Sequence, residues 1–364
     1  MSERKLLLSL TSYPARIQYV PQVIETLRAQ TRPADRILLY LSADQFPGRE
    51  EDLPEALRGA VSDAQVCLRW VSGDLKPHKK YFYAFREFPE DFIVTVDDDV
   101  LYEPTLLEKL WEMHLQYPGA VVAGRTHLIT VDSAGQPLPY RLWLRNVLGV
   151  PEGPSLQLFA VGIGGVLYDP KLFPQELFRE DAIRETCLKA DDLWLKAMEL
   201  KAGIPVVHSD ASEFLRIIPG SQESSLYQVN LEQDQNDACL SAIRAWAVRL
   251  DGKDPFAQAL AGGLLIREGA ALYDCLNSER RLLLNRYHEV YLRMRVAEKN
   301  KNLQKEKNTR LNAEIVRLNQ VVSALQEEVR TLRESSSFKI GSALTRPLHR
   351  LRGASGGKEE SGAK

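Results

Sequence analysis

The chain has little cysteine, no long apolar run and almost no net charge, and each shortage closes off a class of protein. Its four cysteines, Cys67, Cys187, Cys239 and Cys275, are scattered without a Cys-x-x-Cys pair, so neither a zinc site nor a disulfide framework is indicated. They are expected as reduced thiols in a cytoplasmic protein. No stretch approaches the roughly 18 to 20 apolar residues needed to span a bilayer. The charged start Met1-Ser2-Glu3-Arg4-Lys5 is followed only by Leu6-Leu7-Leu8 before polar residues return, far short of a signal-peptide core. A formal net charge of -2 lacks the basic excess of a nucleic-acid binder, so no nucleic-acid partner is expected. The run Gly162-Ile163-Gly164-Gly165 lacks the full Gly-x-Gly-x-x-Gly dinucleotide spacing, although its glycines let backbone approach a ligand closely.

What is there is a chain of 364 residues with enough apolar content for a real core. Short apolar runs alternate with amphipathic segments, the signature of an α/β fold with a mixed, mostly parallel sheet. Strands are expected at Leu6 to Leu10, Arg36 to Leu41, Gln65 to Val71, Phe92 to Val96, Ala120 to Ala123 and Ile204 to His208. Helices are expected at Pro21 to Gln30, Lys79 to Phe88, Pro104 to Gln116, Asp191 to Lys201 and Asp237 to Leu250. The stretch from about Asp132 to Pro154 reads as an extended loop or small insertion of the kind that forms a substrate lid. The globular domain is expected to span 1–251, with a helical linker or brace at 252–288.

Beyond it the composition turns to Lys, Glu, Arg, Gln, Asn and Leu, without Gly or Pro until Gly341. Leu311, Leu318, Leu325 and Leu332 recur every seven residues, with Ile315, Val322 and Val329 four residues after the first three. That heptad, over 289–335, is expected to make a parallel two-stranded coiled coil and hence a homodimer. Asn308 takes the preceding a position, and Glu328 at g could meet Arg333 at e of the partner. The segment 336–353 carries Ile340, Leu344, Leu348 and Leu351 among Lys339, Arg346, His349, Arg350 and Arg352 with no acidic residue, a pattern that can lie peripherally on an anionic membrane. Residues 354–364 read as a disordered terminus.

The most chemical feature is Phe92-Ile93-Val94-Thr95-Val96-Asp97-Asp98-Asp99. Three carboxylates at the end of a buried strand repel one another and call for a positive partner. A divalent cation is the simplest, since Mg²⁺ and Mn²⁺ prefer carboxylate oxygen and usually keep positions open for substrate phosphate. Lys76-Pro77-His78-Lys79-Lys80 lies one element upstream, and Thr11-Ser12-Tyr13-Pro14-Ala15-Arg16 ends the first strand. Both fall at strand carboxyl ends, where ligands of open α/β sheets collect. Asp191-Asp192 precedes a helix, either as an N-cap or as a carboxylate pair in which one member is a general base. His208, at a strand end, is either structural or a further metal ligand.

In this order these motifs resemble nucleotide-sugar-dependent glycosyltransferases of the type A (GT-A) fold, especially bacterial polysaccharide-building enzymes, over about Leu6 to Leu250. The resemblance implies Asp99 at a Mn²⁺ or Mg²⁺ ion that bridges the donor's diphosphate, with Asp97 toward the ribose or a metal-bound water. It implies Thr11, Tyr13, Arg16, His78, Lys79, Lys80, Asp97, Asp98, Gly164 and Gly165 around the nucleotide sugar, and Asp191 or Asp192 as the base of an inverting transfer to a saccharide or lipid-linked saccharide acceptor. Such an enzyme would work in the cytoplasm, at the inner face of the cell membrane if the basic tail binds there. Two other readings stand beside it. Haloacid-dehalogenase-like phosphatases also place Asp-x-Asp after an apolar strand, but on the first strand, and usually with Thr or Val where this chain has Leu101. A coiled-coil scaffold with a nucleotide-sugar-binding head is the other.

Overall fold

The computed structural model describes residues 4–132, 135–147, 153–212, 215–221 and 235–260, together with 307–314, 316–321, 323–324, 326–327 and 330–331. The strands are β1 (Leu6–Thr11), β2 (Arg36–Ser42), β3 (Val66–Val71), β4 (Phe92–Thr95), β5 (Val100–Leu101), β6 (Val121–Ala123), β7 (Thr126–Leu128), β8 (Leu158–Ala160), β9 (Val166–Tyr168), β10 (Val206–His208) and β11 (Arg216–Ile217). Seven of them form one sheet in the order β10-β6-β9-β4-β1-β2-β3. All pairings in it are parallel except those of β9, which runs antiparallel between β4 and β6.

That reversal positions the site. Val166 opens β9 opposite Thr95, the last residue of β4, and opposite Ala123, the last of β6. The glycine turn before Val166 therefore sits at the carboxyl edge of the parallel strands, between the acidic loop after β4 and the Gly124-Arg125 corner after β6. The apolar run from Leu158 to Tyr168 is thus two strands, β8 and β9, split by this turn.

The helices are α1 (Val20–Arg28), α2 (Glu55–Val61), α3 (Lys79–Glu87), α4 (Leu106–Gln116), α5 (Glu180–Thr186), α6 (Asp191–Ala202), α7 (Gln235–Asp251) and α8 (Pro255–Leu260). Side chains of the central strands alternate between two cores, as the two-residue strand repeat requires. Leu7, Leu38 and Ile93 face α3, α6, α7 and α8, whereas Leu6, Leu8, Leu39 and Val94 face α1, α2 and α4. Every residue of α6 from Leu193 to Leu200 is buried, so this helix lies within the core rather than on it. Trp194 donates its Nε1–H to the Leu177 carbonyl at 2.9 Å and packs on Trp246 of α7. Lys196 and Glu199 form a buried pair at 3.1 Å one turn further on, each satisfying a charge that burial alone would make costly.

The short helix α8 falls inside the expected linker or brace at 252–288 and packs Phe256 and Leu260 into the core shared with α6 and α7. The described part of the expected loop or small insertion from about Asp132 to Pro154 is tied down. Bridges join Val131 to Pro137 and Leu128 to Leu144, and Trp143 packs with Tyr140 and Phe159 in an aromatic cluster that anchors it. The short helices α2 and α5, only 7 residues each, add to the elements expected from the sequence.

The second unit, 271–364, is helical at 307–314 and 316–321. Leu311 and Leu318 there are 50% and 57% exposed. The expected linker over 261–288, most of the coiled-coil heptad, the basic tail and the terminus lie outside the described residues. Among the described residues no helix is long and apolar enough to cross a membrane. Cys67, Cys187 and Cys239 are free thiols, and Cys275 lies outside the described residues.

Candidate active site

The carboxylates after β4 find counter-charges within the chain. Arg16, just past β1, reaches Asp98 Oδ1 with Nη1 at 3.0 Å and Asp99 Oδ2 with Nη2 at 3.1 Å. Ser12 donates its Oγ–H to Asp98 Oδ2 at 2.5 Å. Burial still pushes the Asp98 carboxyl above its ordinary value, against the pull of Arg16 and Ser12. Asp97 accepts from Lys80 Nζ at 2.7 Å, and its backbone N–H donates to the Tyr102 hydroxyl at 2.8 Å. Tyr102 in turn donates to the Ile163 carbonyl at 3.2 Å. One buried phenol thereby ties the acidic loop to the glycine turn.

Lys80 connects the site to α6. Its Nζ lies 3.0 Å from Asp191 Oδ2 as well as on Asp97. Burial lowers its affinity for a proton, but Asp191 and Asp97 together outweigh that and hold it well above the ordinary lysine value, so it stays charged. Its carbonyl is fixed by Ser9 Oγ at 2.5 Å. The next carboxylate, Asp192, accepts from the Gly162 N–H at 3.0 Å. Burial, followed by the charge of Asp191, pushes Asp192 up to about 8. Residues of β1 and the loop after it, the loop after β4, the glycine turn, α3 and α6 thus meet in one cluster.

The glycines are required by geometry at three positions. A Cβ on Gly164 would fall 2.5 Å from Arg125 Cβ and 2.7 Å from its backbone nitrogen, and Gly165 adopts φ +75°. A Cβ on Gly162 would meet Asp192 Oδ1 at 2.9 Å and Lys80 Nζ at 3.1 Å.

Other expected ligands sit elsewhere. His78, expected beside the nucleotide, is fully buried, with Nδ1 2.9 Å from the Tyr81 hydroxyl and Nε2 2.9 Å from the Cys187 carbonyl. Since a carbonyl only accepts, Nε2 carries the proton and Nδ1 takes one from Tyr81. Burial lowers this histidine to about 4, so it is a neutral strut rather than a phosphate ligand. Lys79 is buried against Asp74, leaving Lys80 as the lysine of that pair at the acidic loop. Thr11 donates to the Tyr40 carbonyl at 2.7 Å, while Tyr13 flanks Arg16, whose guanidinium lies 5.8 Å from the ring centre. His208 is three strand positions from β4, about 14 Å at ordinary sheet spacing, and its Nδ1 lies 3.1 Å from Thr126 Oγ1. It does not join the carboxylates as a ligand. Ser9, Ser12 and Tyr102 join the site although their residue types give no sign of it; the signal in the sequence is only their adjacency to the motifs.

A divalent cation fits this donor set. Asp97, Asp98, Asp99, Asp191 and Asp192 outnumber the cations paired with them, Arg16 and Lys80, so the cluster carries an excess of acidic groups. A donor diphosphate would add to that excess, which two added positive charges would offset. Asp97 is the most open of the paired carboxylates, its side chain 28% exposed. Among the described residues no group of three or more His, Cys, Asp or Glu is arranged to hold an ion by itself.

Residues 11–164 match the family model described as glycosyl transferase family 2. No curated protein sequence matches the chain. Among solved structures, a 4-diphosphocytidyl-2C-methyl-D-erythritol synthase is 16% identical with a TM-score of 0.35, over 63% of this chain and 98% of its own. The synthase of the same name from Anaerococcus prevotii DSM 20548 is 13% identical at a TM-score of 0.36, over 62% and 99%. S. aureus TarS 1-349, solved in complex with UDP, is 13% identical at 0.32, over 68% and 75%. TM-scores this low say nothing about the site or its substrate. The sheet order with its single reversed strand and the family match together make the fold GT-A-like.

Proposed function

We propose that this chain, a glycosyltransferase with a family 2 domain at residues 11–164, moves a sugar from a nucleotide-diphosphate donor to a hydroxyl of a saccharide or lipid-linked saccharide acceptor, with inversion, in bacterial surface polysaccharide synthesis. The observation that carries the chemistry is the bridge from Asp97 through Lys80 to Asp191, which joins the acidic loop and the start of α6 in one site. The nucleotide diphosphate would lie along Arg16, Lys80 and the acidic loop. Asp97 and Asp99 would hold Mn²⁺ or Mg²⁺, and the ion's chemistry would be to stabilise negative charge on the departing diphosphate.

Asp192 is the better base of the pair. Asp191 is matched to Lys80, whereas Asp192 is held by a backbone N–H and raised to about 8, close to the operating pH at which a base works best. Asp192 takes the proton of the acceptor hydroxyl as that oxygen bonds to the anomeric carbon. The bond from that carbon to the donor's phosphate oxygen breaks on the opposite face, and the nucleoside diphosphate leaves with the electron pair. A single displacement of this kind inverts the anomeric centre, which NMR of the product would read directly.

The test is a thermal-shift panel of nucleotide sugars and nucleotides, each with Mn²⁺ and with a chelator. Binding to the native state raises the apparent melting temperature by mass action. The expected result is a shift with one class of nucleoside diphosphate that is lost on chelation. A shift indifferent to the chelator would remove the metal, and no shift from any nucleotide would remove the donor.

The exposed Leu311 and Leu318 on the helical segment support pairing with a second copy through the heptad. Deleting residues beyond about 300 is expected to lower the mass in light scattering from dimer to monomer; an unchanged mass would refute the coil. Membrane contact through 336–353 rests on the sequence alone.

A further inference from the structure

Lys80 is shared between two parts of the site. It is buried, with its side chain 5% exposed, and its ammonium meets carboxylates on different elements: Asp97 of the acidic loop at 2.7 Å and Asp191 of α6 at 3.0 Å. The two arms are unequal. The contact with Asp97 is a hydrogen bond, whereas Asp191 Oδ2 meets Lys80 as a charge without hydrogen-bond alignment and has no hydrogen-bond partner. The rest of Lys80 is fixed. Its carbonyl accepts from Ser9, and the preceding residues Lys79 and His78 are buried and bonded. The absence of a side chain at Gly162, whose Cβ would lie 3.1 Å from Nζ, keeps space beside the ammonium. Only the end of a flexible four-carbon stem is left to move.

We propose that Lys80 is a positioning residue that couples the donor half of the site to the acceptor half, through the chain Asp97–Lys80–Asp191. The inference rests on the reading that the donor's diphosphate lies at the acidic loop. An anion arriving there offers Lys80 a further acceptor, and whatever charge Lys80 gives to it is withdrawn from Asp191, the arm without a hydrogen bond. Asp191 then loses its cation next to the base only when a donor is in place. Linkage makes the effect reciprocal: removing the charge of Asp191 must free Lys80 for the diphosphate and tighten its binding. A carboxylate that merely repels the diphosphate from a distance would also tighten binding when removed, but it would do so whether or not Lys80 is present.

The experiment is a double-mutant cycle read by calorimetric binding of UDP or GDP with Mg²⁺ to the full chain, in wild type, Asp191→Asn, Lys80→Met and the double variant. Asp191→Asn is expected to tighten binding about fivefold or more in the presence of Lys80, with no comparable tightening in the Lys80→Met background. Equal tightening in both backgrounds, or none in either, would overturn the coupling. Should Lys80→Met fail to fold, the ¹³Cγ resonance of Asp191, assigned by Asp191→Asn, tests the same coupling in the unaltered protein. It is expected to shift and saturate as the nucleotide is titrated, and an unmoved resonance would overturn the proposal. Failure of either nucleotide to bind the wild-type protein would overturn the donor reading and the coupling with it, whereas binding without coupling would overturn the coupling alone.

Discussion

Asp192→Asn is expected to lower kcat for sugar transfer by about 10²–10⁴-fold while leaving nucleotide binding close to wild type. The amide oxygen of the new side chain can still accept from the Gly162 N–H that holds Asp192 at 3.0 Å, so the turn stays anchored and the change removes only the proposed proton acceptor. Asp191 is poorly placed to substitute for it, because Lys80 lies against its Oδ2. Steady-state kinetics of the variant beside Asp191→Asn checks this. Transfer within tenfold of wild type for Asp192→Asn, with collapse for Asp191→Asn, would move the base to the other carboxylate.

The same residue sets a pH dependence. With Asp192 held up to about 8 in the folded chain, the wild-type kcat/KM is expected to rise with pH through that region as the carboxylate ionises. Its effect on stability runs the opposite way. The folded state holds this proton between the ordinary value of 3.8 and about 8, where the unfolded chain has lost it. The stabilisation is therefore complete below about pH 4 and disappears as pH rises through 8. Asp192→Asn should flatten that part of the stability profile, which denaturant titrations at several pH values would measure.

Gly164→Ala is expected to be strongly damaging for so small a change, costing about 3 kcal/mol and about 6–12 °C of melting temperature. Its methyl group would sit 2.5 Å from Arg125 Cβ and 2.7 Å from the Arg125 nitrogen, and neither can swing aside as the end of a long side chain could. The Gly164 carbonyl also accepts from Ser212 at 2.6 Å, so the turn is held from the far side too. Gly203→Ala is the comparison. It lies at φ +72° with nothing within 4 Å, so only backbone strain of about 1–2 kcal/mol is expected. Equal losses for the two in calorimetry would mean that contact with Arg125 is not what excludes a side chain at 164.

Much of this architecture is legible in the sequence because the physics is local. The runs at Leu6, Arg36 and Phe92 are long enough for their periodicity and turn signals to define strands, and the aspartates that end one of them stand out by charge alone. What is not legible depends on distance along the chain. Three apolar residues, Val166 to Tyr168, cannot reveal that their strand runs against its neighbours; only the pairing with Thr95 and Ala123 does so. His78 lies in Lys-Pro-His-Lys-Lys, which reads as a basic surface, yet contacts with Cys187 more than a hundred residues away draw it inside. The counter-charges are hidden for a related reason. Repulsion among Asp97, Asp98 and Asp99 reads locally as a need for metal, whereas Arg16 and Lys80 supply part of the relief. Tyr102 reads as an ordinary aromatic because nothing local says that its hydroxyl reaches Ile163.

The burial of α6 has a consequence for how such an enzyme can diversify. A helix enclosed from Leu193 to Leu200 and clamped by Trp194 cannot turn without disturbing the whole core, so the carboxylates at its start keep a constant bearing on the sheet. The segment between β6 and β8 has two bridges and an aromatic cluster with Phe159, yet Trp143 and Phe159 share one core with that helix. Changes to that segment and changes at the start of α6 are therefore not independent of each other.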